Sequence, residues 1–188
     1  MRKDLIARYM NLAALADLRF PDDYGGFRGK IKVLRNNRAV TRMLRIESDI
    51  EQNHPELKDA FARLLDKTDC RIHVAAAHGI LERMHYDAQT QRRALTIIEA
   101  VACDEESVSS FGTILWLTDW YKTHPEFTPN EAVLQKREKD NREFEALMQR
   151  IANMDEEEAK LFHTDYFQWR EKAKQSFMEE PPCPNTPP

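Results

Sequence analysis

The chain has 188 residues, long enough for one domain with a hydrophobic core and short for two. Charged residues make up 32% and apolar residues 41%, a balance that excludes a disordered chain and a membrane-embedded one and fits a soluble globular protein. The net charge of −4 conceals a split, because residues 1–46 carry +7 and residues 47–188 carry −11, an asymmetry that bears on partners more than on fold.

In chain order, "KDLIARYMNLAALADL" places Leu5, Ile6, Tyr9, Leu12, Ala13 and Ala16 at helical spacing, and Asp4 favours the first turn. This opening has no uncharged core or small-residue cleavage site, so a signal peptide is not expected. "RFPDDYGGFRG" breaks the pattern with one proline, two aspartates and three glycines. From Lys30 to Asn53 the spacing predicts a long helix with Val33, Val40, Met43, Leu44 and Ile50 on one side. "NHPEL" stops it, since proline disfavours helix in the residue before it and suits a helix start. A third helix is expected in "ELKDAFARLLD", a fourth in "DCRIHVAAAHGILERM" and a fifth in "AQTQRRALTIIEAVA". "VSSFGTILWLTDWY" makes a sixth, and two more follow near 130–153 and 155–177. The residues expected in the core are Ala75, Ala76, Ile80, Leu95, Ile98, Leu115 and Leu117. No strand-period alternation of any length is present, so the fold class is all-α. The expected organisation is a single all-helical domain over 1–177, with an extension at 130–177 and a solvated, disordered proline-rich tail at 178–188.

Chemistry-bearing residues are sparse. His73 and His78 stand five apart, about 140° round a helix, and cannot share an ion from one face. His78, Glu82 and His85 do share a face, and two imidazoles with a carboxylate suit zinc or ferrous iron. His85, however, falls where the helix should be ending, and no further Cys or His cluster supplies a ligand, so a partly exposed polar face is expected and no metal. Cys70 beside Arg71 and His73 at a helix start has features that lower a thiol pKa, but no oxyanion site accompanies it. Three cysteines at wide spacing argue against a disulfide framework and for a reducing, cytoplasmic setting. There is no nucleophile elbow, phosphate loop or dinucleotide fingerprint, so the sequence reads as non-enzymatic, with no cofactor.

The basic run says more. Lys32, Arg35, Arg38, Arg42 and Arg45 recur every three or four residues along the second helix, and like charges at that spacing repel one another. They require neutralisation by Glu47, Asp49, Glu51 and the acidic later helices, or by an external anion such as a phosphate backbone. Trp116, Trp120 and Tyr121 concentrate aromatic residues of the kind that anchor interfaces, although core packing is expected of at least one tryptophan. Glu156, Glu157 and Glu158, following Asp155, form an acidic helix start.

"CRIHVAAAHGIL", followed by "RRALTIIEAVA" and "FGTILWLTDW", resembles the HEAT-type repeat, in which an Asp/Arg corner opens an alanine-rich inner helix. With "LIARYMNLA" at the start, residues 4–122 resemble a small bacterial HEAT-like family of unknown function. Asp69 and Arg71 match the corner, Ile72 and Ala75 to Ala77 the inner helix, and Ala94, Leu95 and Ile98 the helix after it. His73 stands where that repeat commonly has arginine, so the usual ion ladder between repeats does not carry over. The resemblance implies a short HEAT-like helical-hairpin array, its core at about 56–122, with two extra C-terminal helices. Such arrays present rigid faces to partners. The expected function is therefore a non-catalytic protein–protein interaction module, an immunity protein or inhibitor acting on a toxin or mobile-element component, with Trp116, Trp120, Tyr121 and Glu156 to Glu158 as contacts. Nucleic-acid binding through Lys32 to Arg45 is the alternative.

Overall fold

A computed structural model describes residues 4–16, 27–104, 110–153 and 155, with the side chains of 27–33 and of Phe111 outside that description. Seven α-helices and two 3-10 turns fill the described residues, with no strand among them, so the fold is all-α. The helices are α1 (Asp4–Leu15), α2 (Phe27–Asn53), α3 (Lys58–Ala62), α4 (Cys70–Glu82), α5 (Ala88–Cys103), α6 (Ser110–Thr123) and α7 (Glu131–Ala152). No helix among the described residues is long and apolar enough to cross a membrane. The expected eighth helix at 155–177, apart from Asp155, and the tail at 178–188 lie outside the described residues.

Contacts divide the chain into two compact units, with the division in sequence falling between Phe127 and Thr128. In the first, α1 packs on α2 and α4, α5 on α4, and α6 on α5. A connection of only five residues between α4 and α5 makes the packed pair antiparallel. Small residues set the spacing, because Ala75, Ala76, Ala77 and Gly79 are all buried on α4 and let its neighbours approach closely. Around them Tyr9, Ile50, Phe61, Leu64, Ile80, Leu95, Ile98 and Leu117 are the largest apolar side chains fully removed from water. Each buries enough apolar surface to contribute roughly 1.5–3 kcal/mol.

Three helices start on side-chain caps. Asp69 is the N-cap of α4, its carboxylate accepting from the Arg71 amide at 3.0 Å. The Arg71 guanidinium returns to Asp69 at 2.8 Å and donates to the Ala14 carbonyl at 2.8 Å, so this corner ties α4 to the end of α1. Asp87 caps α5 through the Thr90 amide at 2.9 Å, and Asn130 caps α7 through Val133 at 2.9 Å.

Four expectations are corrected. The third helix is a 3-10 turn at Pro55–Leu57, one short α segment and a second 3-10 turn at Arg63–Asp66. A segment this short is marginal as an α-helix, and 3-10 winding brings the consecutive Leu64 and Leu65 inward together with Phe61. Leu115, expected in the core, is 53% exposed. It lies about 160° round α6 from the buried Leu117, on the side away from Ile114 and Trp120. Leu44, expected on the apolar side of α2, is also exposed, because Ala39, Met43, Ile46 and Ile50 define that side. Cys70 is disulfide-bonded, against the expectation of unpaired thiols, since separation along the chain does not limit separation in space; it offers no thiolate nucleophile, whereas Cys103 is not in a disulfide.

In the second unit, α7 carries Phe144, Leu147, Met148 and Ile151 on its exposed C-terminal turns. Its N-terminal half buries Val133 and Asp140, and Asp140 pairs with Lys136 one turn away.

Candidate functional site

α2 is charged on two faces. On the buried face, Glu47 stands one turn after Met43 and three residues before Ile50, a position the helical pattern reserves for an apolar side chain. It is 1% exposed. The Tyr9 hydroxyl of α1 donates to its Oε1 at 2.8 Å, and Arg83, at the end of α4, donates through Nε to its Oε2. Burial and the neighbouring carboxylate hold the Tyr9 phenol well above its ordinary range, so it remains a donor at every working pH. Tyr9 also packs edge-on against Phe61, ring centroids 4.8 Å apart. The space for this carboxylate exists because residue 79 is glycine. A Cβ there would stand 2.8 Å from Glu47 Oε1 and 3.0 Å from its Cδ.

The network continues to the surface. Arg83 also pairs with Glu82, whose Oε1 accepts from Trp116 Nε1 at 2.9 Å and lies 3.5 Å from His78 Nδ1. Burial raises the Glu82 carboxyl, but His78 and Arg83 outweigh it and hold the group below its usual range. The His78 ring sits edge-on to Trp116 at 4.8 Å. From Trp116 an aromatic ladder runs to Trp120 at 6.3 Å and to His124, stacked on Trp120 at 4.1 Å, with Phe127 packed alongside. Trp120 is 6% exposed and donates to the Leu81 carbonyl at 3.3 Å. Tyr121 donates at 2.6 Å to Glu99, a second carboxylate buried on an apolar face, and burial with that contact raises the phenol pKa.

Of the residues singled out in the sequence, His78 and Glu82 come together and His85 does not. α4 ends at Glu82, and His85 turns to Glu51 of α2, its Nδ1 3.0 Å from Oε1. Glu51 also takes Lys58 at 2.9 Å, and Tyr86 donates to the Lys58 carbonyl at 2.8 Å. Among the described residues no group of three His, Cys, Asp or Glu side chains is placed to hold a metal ion. His73 lies on a different side, 2.8 Å from the Lys67 carbonyl. Trp116, Trp120 and Tyr121 share one ladder, with Trp120 inside it and the other two half-buried and hydrogen-bonded to carboxylates. Glu156, Glu157 and Glu158 lie outside the described residues, as does the Lys32 side chain.

On the outer face of α2, Arg35, Arg38, Arg42 and Arg45 are exposed. Among the described residues none of the four pairs with an acidic side chain. The three acids expected to neutralise the row do other things: Glu47 holds Tyr9 and Arg83, Glu51 holds Lys58 and His85, and Asp49 accepts from Asn53 at 2.8 Å. Leu34, 57% exposed, stands at one end of the row within about 40° of Arg38 round the helix.

Sequence reasoning overlooked Tyr9, Glu47, Arg83 and Glu99 as a polar framework. The signal was present, since Glu47 and Glu99 are acids at positions where helical periodicity calls for apolar side chains. A groove of about 430 Å³ lies in the first unit between α1 and the second 3-10 turn. It is lined by Ile6, Met10, Ala60 and Leu64 with Arg63, Asp66 and Lys67 at its rim, and Asp66 is spent on Arg93 at 2.7 Å. No family model, no curated protein and no solved structure matches this chain.

Proposed function

We propose that this chain is a non-catalytic protein-binding module, HEAT-like in the stacking of α4, α5 and α6, whose contact surface is the arginine face of α2. The observation that carries this reading is the row Arg35, Arg38, Arg42 and Arg45, exposed and without an acidic partner among the described residues. Like charges one turn apart weaken a helix by a few tenths of a kcal/mol per pair, so an unneutralised row is tolerated for what it meets. Arginine is also the cation enriched at protein interfaces. Buried Glu47 supports the same division, because it ties α1, α2 and α4 into one frame that holds the row in fixed register. Trp116, half-exposed beside His78 and Glu82, offers a smaller adjoining contact, whereas Trp120 serves packing. A binding module of this size with a basic N-terminal quarter and an acidic remainder suits a partner-occupying role, as in an immunity protein or inhibitor.

The test is co-purification from the native host of tagged wild-type chain beside an Arg38→Glu/Arg42→Glu variant that melts like wild type. A partner protein recovered in stoichiometric yield with wild type and lost with the variant is the expected result. A wild-type chain that emerges alone rules the reading out. Nucleic acid is the second reading, favoured by the three-to-four-residue spacing of the cations, and a low-salt gel-shift titration with DNA and RNA decides it.

A further inference from the structure

Resting on the protein-binding reading, we infer that the segment docking on α2 is an acidic α-helix bearing an apolar residue that covers Leu34. The four arginines stand at i, i+3, i+7 and i+10, so their steps along the helix axis are about 4.5, 6 and 4.5 Å. A second helix with Asp or Glu at three- and four-residue spacing repeats the same steps and places one carboxylate against each guanidinium. An extended strand offers same-face side chains only every 6.6–6.8 Å or so and falls out of register after the first pair. The row spans about 15 Å, or three turns, the length of an ordinary helix-in-groove contact.

Two features of the face weigh against a phosphate backbone. Leu34 is 57% exposed in the sector of Arg38 and Arg45. A sugar–phosphate strand gives this leucine nothing apolar to meet, whereas a helix with a Leu, Ile or Val beside its acids covers it. From Leu34 to Asn53 no Phe, Tyr or Trp stands on α2, so there is no platform on which a base could stack. A paired guanidinium–carboxylate contact is also bidentate and directional, so the row selects spacing as well as charge.

The experiment is fluorescence anisotropy of the full-length chain with a labelled helical peptide of roughly 20 residues, its glutamates set at i, i+3, i+7 and i+10 beside a leucine. The competitors are a peptide of identical composition with that spacing scrambled and a duplex DNA of equal charge. The expected result is binding that weakens with salt, falls about tenfold or more with Arg38→Glu/Arg42→Glu, and falls severalfold with Leu34→Ala. Equal binding of the scrambled peptide, displacement at lower concentration by the duplex, or no binding of the spaced peptide each overturns the inference. Failure here is separable from failure of the wider reading. A host protein captured equally by wild type and by Arg38→Glu/Arg42→Glu removes this docking face and leaves a binding module, whereas a chain that captures nothing from its host removes both.

Discussion

The two faces of α2 use charge in opposite ways. Inward, a single acid is almost completely removed from water and each of its oxygens is engaged, Oε1 by Tyr9 and Oε2 by Arg83. Outward, four arginines are open to water and unpaired among the described residues. A buried charge is tolerated only when its partners are fixed, so Glu47 specifies how α1, α2 and α4 meet. Exposed unpaired cations specify nothing about the fold. The difference separates what holds the molecule together from what it has left to offer a partner, and it can be broken from either side.

The largest effect is expected inside. Glu47→Ala leaves the Tyr9 hydroxyl buried without an acceptor and Arg83 without its carboxylate, and it should cost about 3–5 kcal/mol in urea unfolding. Gly79→Ala drives a methyl to within 2.8 Å of an oxygen that two hydrogen bonds hold in place. It should cost about 1–3 kcal/mol by the same measurement, although alanine is the better helix former. Combined with Glu47→Ala, where the clash is absent, Gly79→Ala should lose most of its own cost, a coupling that a double-mutant cycle reads directly. Asp69→Ala removes the cap of α4 and the anchor of Arg71 and should cost about 1 kcal/mol.

Acid should act on the same framework. Hydrogen bonding to Arg71 holds the Asp69 carboxyl low. At Glu51 and Glu82 burial pushes the group up, but Lys58 and His85, and His78 and Arg83, pull it further down. With folded pKa values below the unfolded ones, the unfolded chain takes up protons first as pH falls. The stabilisation is therefore complete above the ordinary carboxylate range, about pH 4–5, and is lost as pH drops through the depressed values. Melting temperature should be level between pH 7 and about 5 and fall below about 4, with a shallower fall in Asp69→Asn.

Most of the helices were legible because their signals are local. Periodicity located α1, α2, α4, α5, α6 and α7, and Asp69, read as the corner that opens an inner helix, is the N-cap of α4. Local signals failed where tertiary contacts decide. Proline at a helix start announced the segment after His54 correctly, yet the pull of Phe61, Leu64 and Leu65 into one core wound it as 3-10 turns. Leu115 looked like core because Ile114, Leu115 and Leu117 are all apolar, while only two of the three face α5. The site was half legible. The arginine row is a pattern within one helix and could be read directly, but its freedom from internal partners depends on Glu47 and Glu51 reaching α1, α4 and Lys58, contacts between residues 7 to 38 apart in sequence. His85 left the His78–Glu82 face for the same reason, since α4 ends first and Glu51 is nearer.

The smallest effect tests the central claim most directly. If the arginine row is unspent in the fold, removing its charge costs nothing. The measurement is the urea-unfolding free energy of Arg38→Gln/Arg42→Gln, a one-turn pair, against wild type at low salt. The account predicts a value within about 0.5 kcal/mol of wild type or slightly above it, because a like-charge contact has been relieved. A loss of more than about 1 kcal/mol would show that the row is already paired within the molecule, and would contradict its assignment as the face offered to a partner.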